Sequence, residues 1–291
     1  MNTFPITLYT LCSRYPNRRA LGTREYSEGG RRGAYEWYSY TDFARQVILL
    51  VKGLEKVGVK PEDKVGIVSP NRTEWTVLEF ACGTLGACMV PLYDTQTAED
   101  LEYVAKDSGI SIALCSLDRL HKAASLGVDV YVFDDRLDDR VYLQNNEAKV
   151  AGLPKRLLAQ PRPFEVFDEL DKAEGIADPG TRDTSLKPLR SPKGQDGFFA
   201  YLPEGVTEIG RYAQAAEHLG LIRGTYHGLL LAGYEALGLS GDKNQYEDIR
   251  PADHADLFQR ATPGELSSLV YTSGTTGKPK GAILTQGNII W

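Results

Sequence analysis

A chain of 291 residues, 42% hydrophobic and 25% charged, has the balance of a soluble globular protein and the length for one large or two ordinary domains. A formal net charge of −6 and a pI near 5.4 exclude a general affinity for nucleic acid, which asks for Lys and Arg clustered on one face; the basic runs at Arg18 and Arg19 and at Arg31 and Arg32 read as solvated loop charges. The four cysteines, Cys12, Cys82, Cys88 and Cys115, form no C-x-x-C pair and three lie inside apolar runs, the usage of a reducing compartment.

The first residues, "MNTFPITLYTLCSRYPNRR", lack the basic start and continuous apolar centre of a signal peptide, and no segment reaches the length of a bilayer span. The expected location is therefore intracellular, either cytoplasmic or peripheral on an organelle membrane. A helix is predicted from Ile6 to Arg14, then a strand pair, "RALGTREY" and "YEWYSY", around a "SEGGRRG" turn. "TDFARQVILLVKGLEKVG" places Phe43, Val47, Leu50, Leu54 and Val57 at three- and four-residue spacing, an amphipathic helix with Thr41 as N-cap and Gly58 as its stop. A short strand "KVGIVSP" follows. "NRTEWTVLEFACGTLGACMVPL" then reads as a helix capped by Asn71, giving way near Gly86 to a strand "ACMVPL". The alternation continues through a helix capped by Thr97, a strand "ISIALCS", a short helix "LDRLHKAASLG" and a strand "VDVYVFD". Nearly continuous apolar strands separated by helices predict an α/β fold with a mainly parallel sheet flanked by helices.

This pattern defines a first unit over residues 1–135. Residues 136–260 form an atypical segment without regular alternation, broken by Pro-rich stretches and read as an insertion with one helical stretch at 206–240. The last unit, 261–291, begins at "TPGELSSLVYT" and reads as strand, Gly-rich loop, strand: a hairpin.

The loop of that hairpin, "TSGTTGKPKG", is what a polyanion needs. Gly274 and Gly277 let backbone N–H groups turn inward and phosphate oxygens approach closely. Thr272, Ser273, Thr275 and Thr276 add hydroxyl donors, Lys278 and Lys280 add charge, and Pro279 stiffens the exit. A Walker A loop is excluded by spacing, because Pro279 stands where its second Gly must be and Lys278 is followed by Pro. From composition alone the choice stays open between a phosphate cradle and a solvated turn.

The full string "YTSGTTGKPKG" at 271–281 resembles, position by position, the phosphate-binding signature of the AMP-forming acyl and aryl acid ligases, the adenylate-forming superfamily. Upstream, "GAYEWYSY", "VGIVSPNRTEW" and "ACGTLGACMVPLYDT" are similar to the long-chain fatty acid–CoA ligase branch, with "YDT" and the pattern at Tyr35, Trp37, Ser39 and Tyr40 closest to it. The resemblance covers about the first 115 residues and the last 25. It implies a fold that is part of the N-terminal domain of such a ligase. It also implies the reaction: fatty acid and ATP give an acyl-adenylate and pyrophosphate, and coenzyme A then displaces AMP to form the thioester. ATP, Mg²⁺ and CoA are the implied cofactors and co-substrates. Carried over by position, Thr272, Ser273, Gly274, Thr275, Thr276 and Gly277 would wrap the β- and γ-phosphates, with Lys280 as a phosphate contact or loop-closing ion pair. Gln286 stands where the family usually has His. The elements that bind adenine, Mg²⁺ and ribose and supply the catalytic Lys lie downstream of the loop in this family, so no catalytic residue is identified. The chain is expected to be an N-terminal fragment inactive by itself, with peripheral membrane association and a partner covering its open sheet. The alternative is a non-catalytic protein that binds nucleotide or a partner.

The remaining candidates resolve to plainer readings. His121, His218, His227 and His254 are too widely spaced for a metal site, so none is expected. "DHAD" at 253–256 reads as a charged helix start, and "VFDDRLDDR" lacks the Gly and terminal Glu of a calcium loop.

Overall fold

The computed structural model describes residues 3–27, 31–93, 96–116, 119–133, 223–239, 245–272 and 278–289. Helix α1 (Phe4–Arg14) opens with Pro5 in its first turn and Thr3 as N-cap, its hydroxyl accepting from the Ile6 N–H at 3.5 Å. Strands β1 (Arg19–Ser27) and β2 (Arg31–Ser39) form an antiparallel pair of their own. The chain then enters α2 (Tyr40–Lys56), whose cap is Ser39 rather than the expected Thr41. The Ser39 hydroxyl accepts from the Asp42 N–H while Asp42 accepts from the Ser39 N–H, a reciprocal capping box in which Asp occupies the Glu/Gln position.

Next come β3 (Lys64–Val68), α3 (Thr73–Leu85), β4 (Cys88–Pro91), α4 (Ala98–Ser108), β5 (Ile110–Ser116), the short α5 (Leu120–Ala123) and β6 (Asp129–Phe133). α3 has no side-chain cap. Arg72, at its N-cap, instead holds its guanidinium 4.5 Å over the Phe133 ring and pairs with Glu74 at 3.1 Å, so the expected Asn71 cap is displaced by one residue. β7 (Gly224–Thr225), α6 (Tyr226–Ala236), α7 (Ala255–Phe258), β8 (Leu266–Thr272), β9 (Lys280–Thr285) and α8 (Gln286–Ile289) complete the described strands and α-helices, with 3-10 turns at Ala124–Leu126 and Pro251–His254.

The main sheet runs in the order β7-β6-β5-β3-β4-β8-β9, parallel except for the last pair. That is the expected α/β architecture with a mainly parallel sheet between helices. Side chains alternate between its faces with the period of two that a strand imposes. Val65, Ile67, Met89, Leu114 and Phe133 meet α1, α2, α3 and α6; Val68, Cys88, Val90, Ala113, Cys115 and Val132 meet α4 and α5. Both faces are therefore covered, which is why the strands read as unbroken apolar runs.

The described part of the atypical segment joins this body. Arg223 donates its N–H to the Val130 carbonyl at 2.6 Å, β7 pairs with β6, and α6 lies along α2. The two helices touch backbone to backbone at glycines. A Cβ on Gly53 would lie 2.8 Å from the Leu229 carbonyl carbon, and one on Gly233 would lie 2.9 Å from that of Leu49. Lys56 and Glu235 add an ion pair between the same helices. The expected helical stretch at 206–240 lies outside the described residues up to 222; from Tyr226 to Ala236 it is helix.

Candidate functional site

The Gly-rich loop starts where β8 ends, at the carboxyl edge of the parallel sheet, the edge at which open α/β sheets bind ligands. β8 and β9 pair antiparallel, with Thr272 opposite Lys280 as the last rung, so the loop leaves and re-enters the sheet between adjacent backbones. Thr272 and Lys280 are both exposed at this mouth. Ser273, Gly274, Thr275, Thr276 and Gly277 lie outside the described residues.

The hairpin is tied down from below. β8 is joined to β4 through the Ser268 hydroxyl, which donates to the Met89 carbonyl at 3.1 Å. Tyr271 is buried, and its hydroxyl donates to the Asp107 carboxylate on α4 at 2.7 Å. Burial and this bond to a carboxylate push the Tyr271 phenol well above its ordinary range, so it stays protonated as the donor. Its partner across the hairpin is Gly281, where a Cβ would sit 3.0 Å from the Tyr271 ring; the absence of a side chain there makes room for the ring. On the exit limb the Lys278 ammonium lies 4.8 Å from the centroid of the Tyr103 ring, also on α4. One helix thus holds the hairpin just before the loop, through Asp107, and just after it, through Tyr103.

The exit of β9 is anchored too. Gln286 is fully buried, its Nε2 donating to the Gly83 carbonyl of α3 at 3.2 Å and its backbone N–H to the Glu265 carbonyl at 2.9 Å. At this position the side chain docks the hairpin on α3. A Cβ on Gly83 would come within 2.9 Å of that amide, so the glycine leaves room for it.

Of the sequence-predicted residues, Thr272 and Lys280 are brought together at the mouth of the loop. Tyr271, Asp107 and Tyr103 were missed as contributors. Tyr271 opens the recognised string, but its 164-residue separation from Asp107 leaves no local signal. Among the described residues no group of His, Cys, Asp and Glu is placed to hold a metal ion.

The family model of the AMP-binding enzymes matches residues 9–291. Long chain acyl-CoA synthetase 5 of Arabidopsis thaliana is 39% identical over 281 residues, covering 97% of this chain and 30% of that protein. Fatty acyl-CoA synthetase B of Dictyostelium discoideum is 26% identical over 283 residues, with the same coverages of 97% and 30%. The chain therefore spans about 30% of the length of these curated relatives. Among solved structures, the A-PCP didomain of carboxylic acid reductase from Segniliparus rugosus, in complex with AMP, matches with a TM-score of 0.55 and 20% identity over 99% of this chain and 32% of that one. At that identity the likeness is one of fold.

Proposed function

Because the chain belongs to the family of AMP-binding enzymes, we propose that it forms the phosphate-holding front part of a long-chain fatty acid–CoA ligase. In this reaction a fatty-acid carboxylate oxygen attacks the α-phosphorus of ATP and pyrophosphate leaves with the Pα–O bond electrons. The thiolate of CoA then attacks the acyl carbon of the mixed anhydride, AMP leaves, and the thiol proton passes to solvent. The first step is governed by positioning and by neutralising charge on the departing pyrophosphate.

The observation that carries this reading is the hairpin itself. A hydroxyl- and glycine-rich loop is closed by Thr272 and Lys280 at the carboxyl edge of the sheet, and both its limbs are fastened to α4. In this role Thr272, Ser273, Gly274, Thr275, Thr276 and Gly277 wrap the β- and γ-phosphates and Lys280 supplies a cation to them. Mg²⁺ would enter with ATP, on its phosphates. Names such as long chain acyl-CoA synthetase, carried by the relatives, support a fatty acid and CoA as the other substrates. Peripheral contact with a fatty-acid-bearing membrane belongs to the same reading; among the described residues no helix is long and apolar enough to cross a membrane.

The test is binding of a fluorescent ATP analogue with Mg²⁺ to the 291-residue chain. Lys280→Ala should weaken it by about five- to tenfold, the loss of one charge-assisted contact of roughly 1–1.5 kcal/mol. Equal affinity in the variant would refute the assignment of Lys280, and no saturable binding by the parent chain would refute the cradle. The chain alone is proposed not to complete the reaction. Palmitate-dependent exchange of labelled pyrophosphate into ATP, above a loop-deleted control, would overturn that part while leaving the ligase reading intact.

A further inference from the structure

The β1–β2 hairpin has two unlike faces. On its inner face Leu21 packs against the core, and Leu21 and Tyr38 line a cavity with Phe43 of α2 and Val77 of α3. Its outer face carries large aromatic rings in water: Trp37 is 43% exposed and Tyr35 48%. The Trp37 ring lies flat across the hairpin, over the bare backbone of Gly22, where a Cβ would come within 2.7 Å of it. It stacks on Tyr35 with centroids 5.2 Å apart at 28°, and the Arg19 guanidinium caps its other end at 5.2 Å. In the turn before β1, Tyr15 is 46% exposed with the Arg18 guanidinium 5.7 Å from its ring. Arg18 and Arg19, which the sequence alone presents as solvated loop charges, thus each lie against an exposed aromatic ring.

The charge is local. Residues 14–39 hold six arginines and three glutamates in a chain whose net charge is −6. An anionic surface would repel the chain as a whole and attract it here, which fixes the orientation of approach.

We propose that the outer face of this hairpin docks on an anionic lipid membrane. Trp and Tyr rings settle at the level of the lipid headgroups, where one edge is apolar and the other wet. Arg forks match phosphate oxygens bidentately, and basic side chains near a charged leaflet each add to binding. The rings lie flat, already packed on each other and on Gly22, so docking orders little. Stacking on a nucleic acid would need a wider basic field than these arginines provide. The proposal deepens the peripheral contact suggested above, and it is separable from the ligase reading because vesicle binding requires neither nucleotide nor acid.

The experiment is flotation of the 291-residue chain with phosphatidylcholine vesicles, with and without phosphatidylserine. Salt-sensitive binding to the anionic vesicles is expected. From about fivefold per basic side chain, Arg18→Gln combined with Arg19→Gln should lower the partition coefficient by roughly 25-fold. Acyl chains brominated near the headgroup should quench protein fluorescence, and Trp37→Phe should remove the quenched component. Three results would overturn the proposal: equal binding to neutral and anionic vesicles, quenching that survives in Trp37→Phe, or partition unchanged in the double arginine variant while its circular dichroism matches the parent. A concentration-dependent dimer, or a nucleic-acid complex, abolished by these variants without vesicle binding would assign the face to that occupant instead.

Discussion

Replacing a glycine in the middle of a helix by alanine ordinarily adds about 1 kcal/mol of stability through helix propensity. Gly233→Ala in α6 should do the reverse. Its Cβ would lie 2.9 Å from the carbonyl carbon of Leu49 and 3.1 Å from the Leu49 Cα, with the carbonyl oxygen nearer still. Non-bonded carbons settle at about 3.5–4.0 Å, so α6 and α2 must part by roughly 1 Å along their contact. The obstacle is backbone and has no rotamer to retreat into, which puts the cost near the upper end of the roughly 1–3 kcal/mol for overpacking. After the propensity gain, a net loss of about 2 kcal/mol remains. At roughly 2–4 °C per kcal/mol for a chain of this size, the melting temperature should fall by about 4–8 °C. Gly228→Ala, one and a half turns earlier in the same helix, is the control. Gly228 is exposed and its Cβ would meet only the Thr225 hydroxyl at 3.3 Å, so the change should be neutral or stabilising. Urea denaturation of both variants decides the matter: equal stability of Gly233→Ala and Gly228→Ala would refute the close approach of α2 and α6.

Tyr271→Phe removes the hydrogen bond to Asp107 and should cost about 1.5 kcal/mol, the low end for a bond to a charged group because Asp107 can turn to water; an unchanged urea midpoint would contradict it. The same phenol titrates higher in the fold than in the unfolded chain, so its contribution is complete below about pH 10 and is lost as pH rises through the folded value. The parent should therefore lose more stability than Tyr271→Phe between neutral and strongly alkaline pH. Burial raises the Glu79 carboxyl above its reference value of 4.5, which favours the protonated form in the fold; stability is fully present below 4.5 and declines as pH rises through the folded value. Glu79→Gln should accordingly be more stable than the parent at pH 7, with the gain vanishing in acid, as melting curves across that range would record. The four thiols are buried, and burial pushes Cys82 far up and Cys88 up to about 12, so none should react with a disulfide reagent at pH 8 until the chain is unfolded.

The parallel sheet was legible because covered strands leave their mark as apolar runs, and α4 was legible to its cap, since Thr97 does accept from the Asp100 N–H. The entry to α2 was misplaced by two residues. Ser39-Tyr40-Thr41-Asp42 offers two hydroxyls as caps, and only the fold shows that β2 runs on to Ser39 and lets its side chain reach Asp42. Asn71 lost its place for a different reason: Arg72 is drawn inward by Phe133 and Glu74, a tertiary demand that overrides local capping preference. β7, two residues long, carries no periodicity to detect. Of the candidate site, the hold of α4 on both limbs of the loop was not legible, because it joins residues far apart in the chain.

That hold matters for what the loop can do. A strand–loop–helix cradle fixes its loop at two elements that can move independently. Here both ends meet in a single rung, Thr272 opposite Lys280, and the residues flanking that rung, Tyr271 and Lys278, rest on the same helix within about one turn of each other, at Asp107 and Tyr103. In the proposed role, a push on the loop from a bound polyanion would be delivered to α4 and, through β8, to the Met89 backbone on the neighbouring strand β4. The attraction for such a polyanion must also be local, since charges farther off than about 8 Å are screened at physiological salt and the chain as a whole is acidic. In the proposed role, the lysines and hydroxyls of the loop and its limbs would have to supply the affinity, with the limbs already fastened to α4.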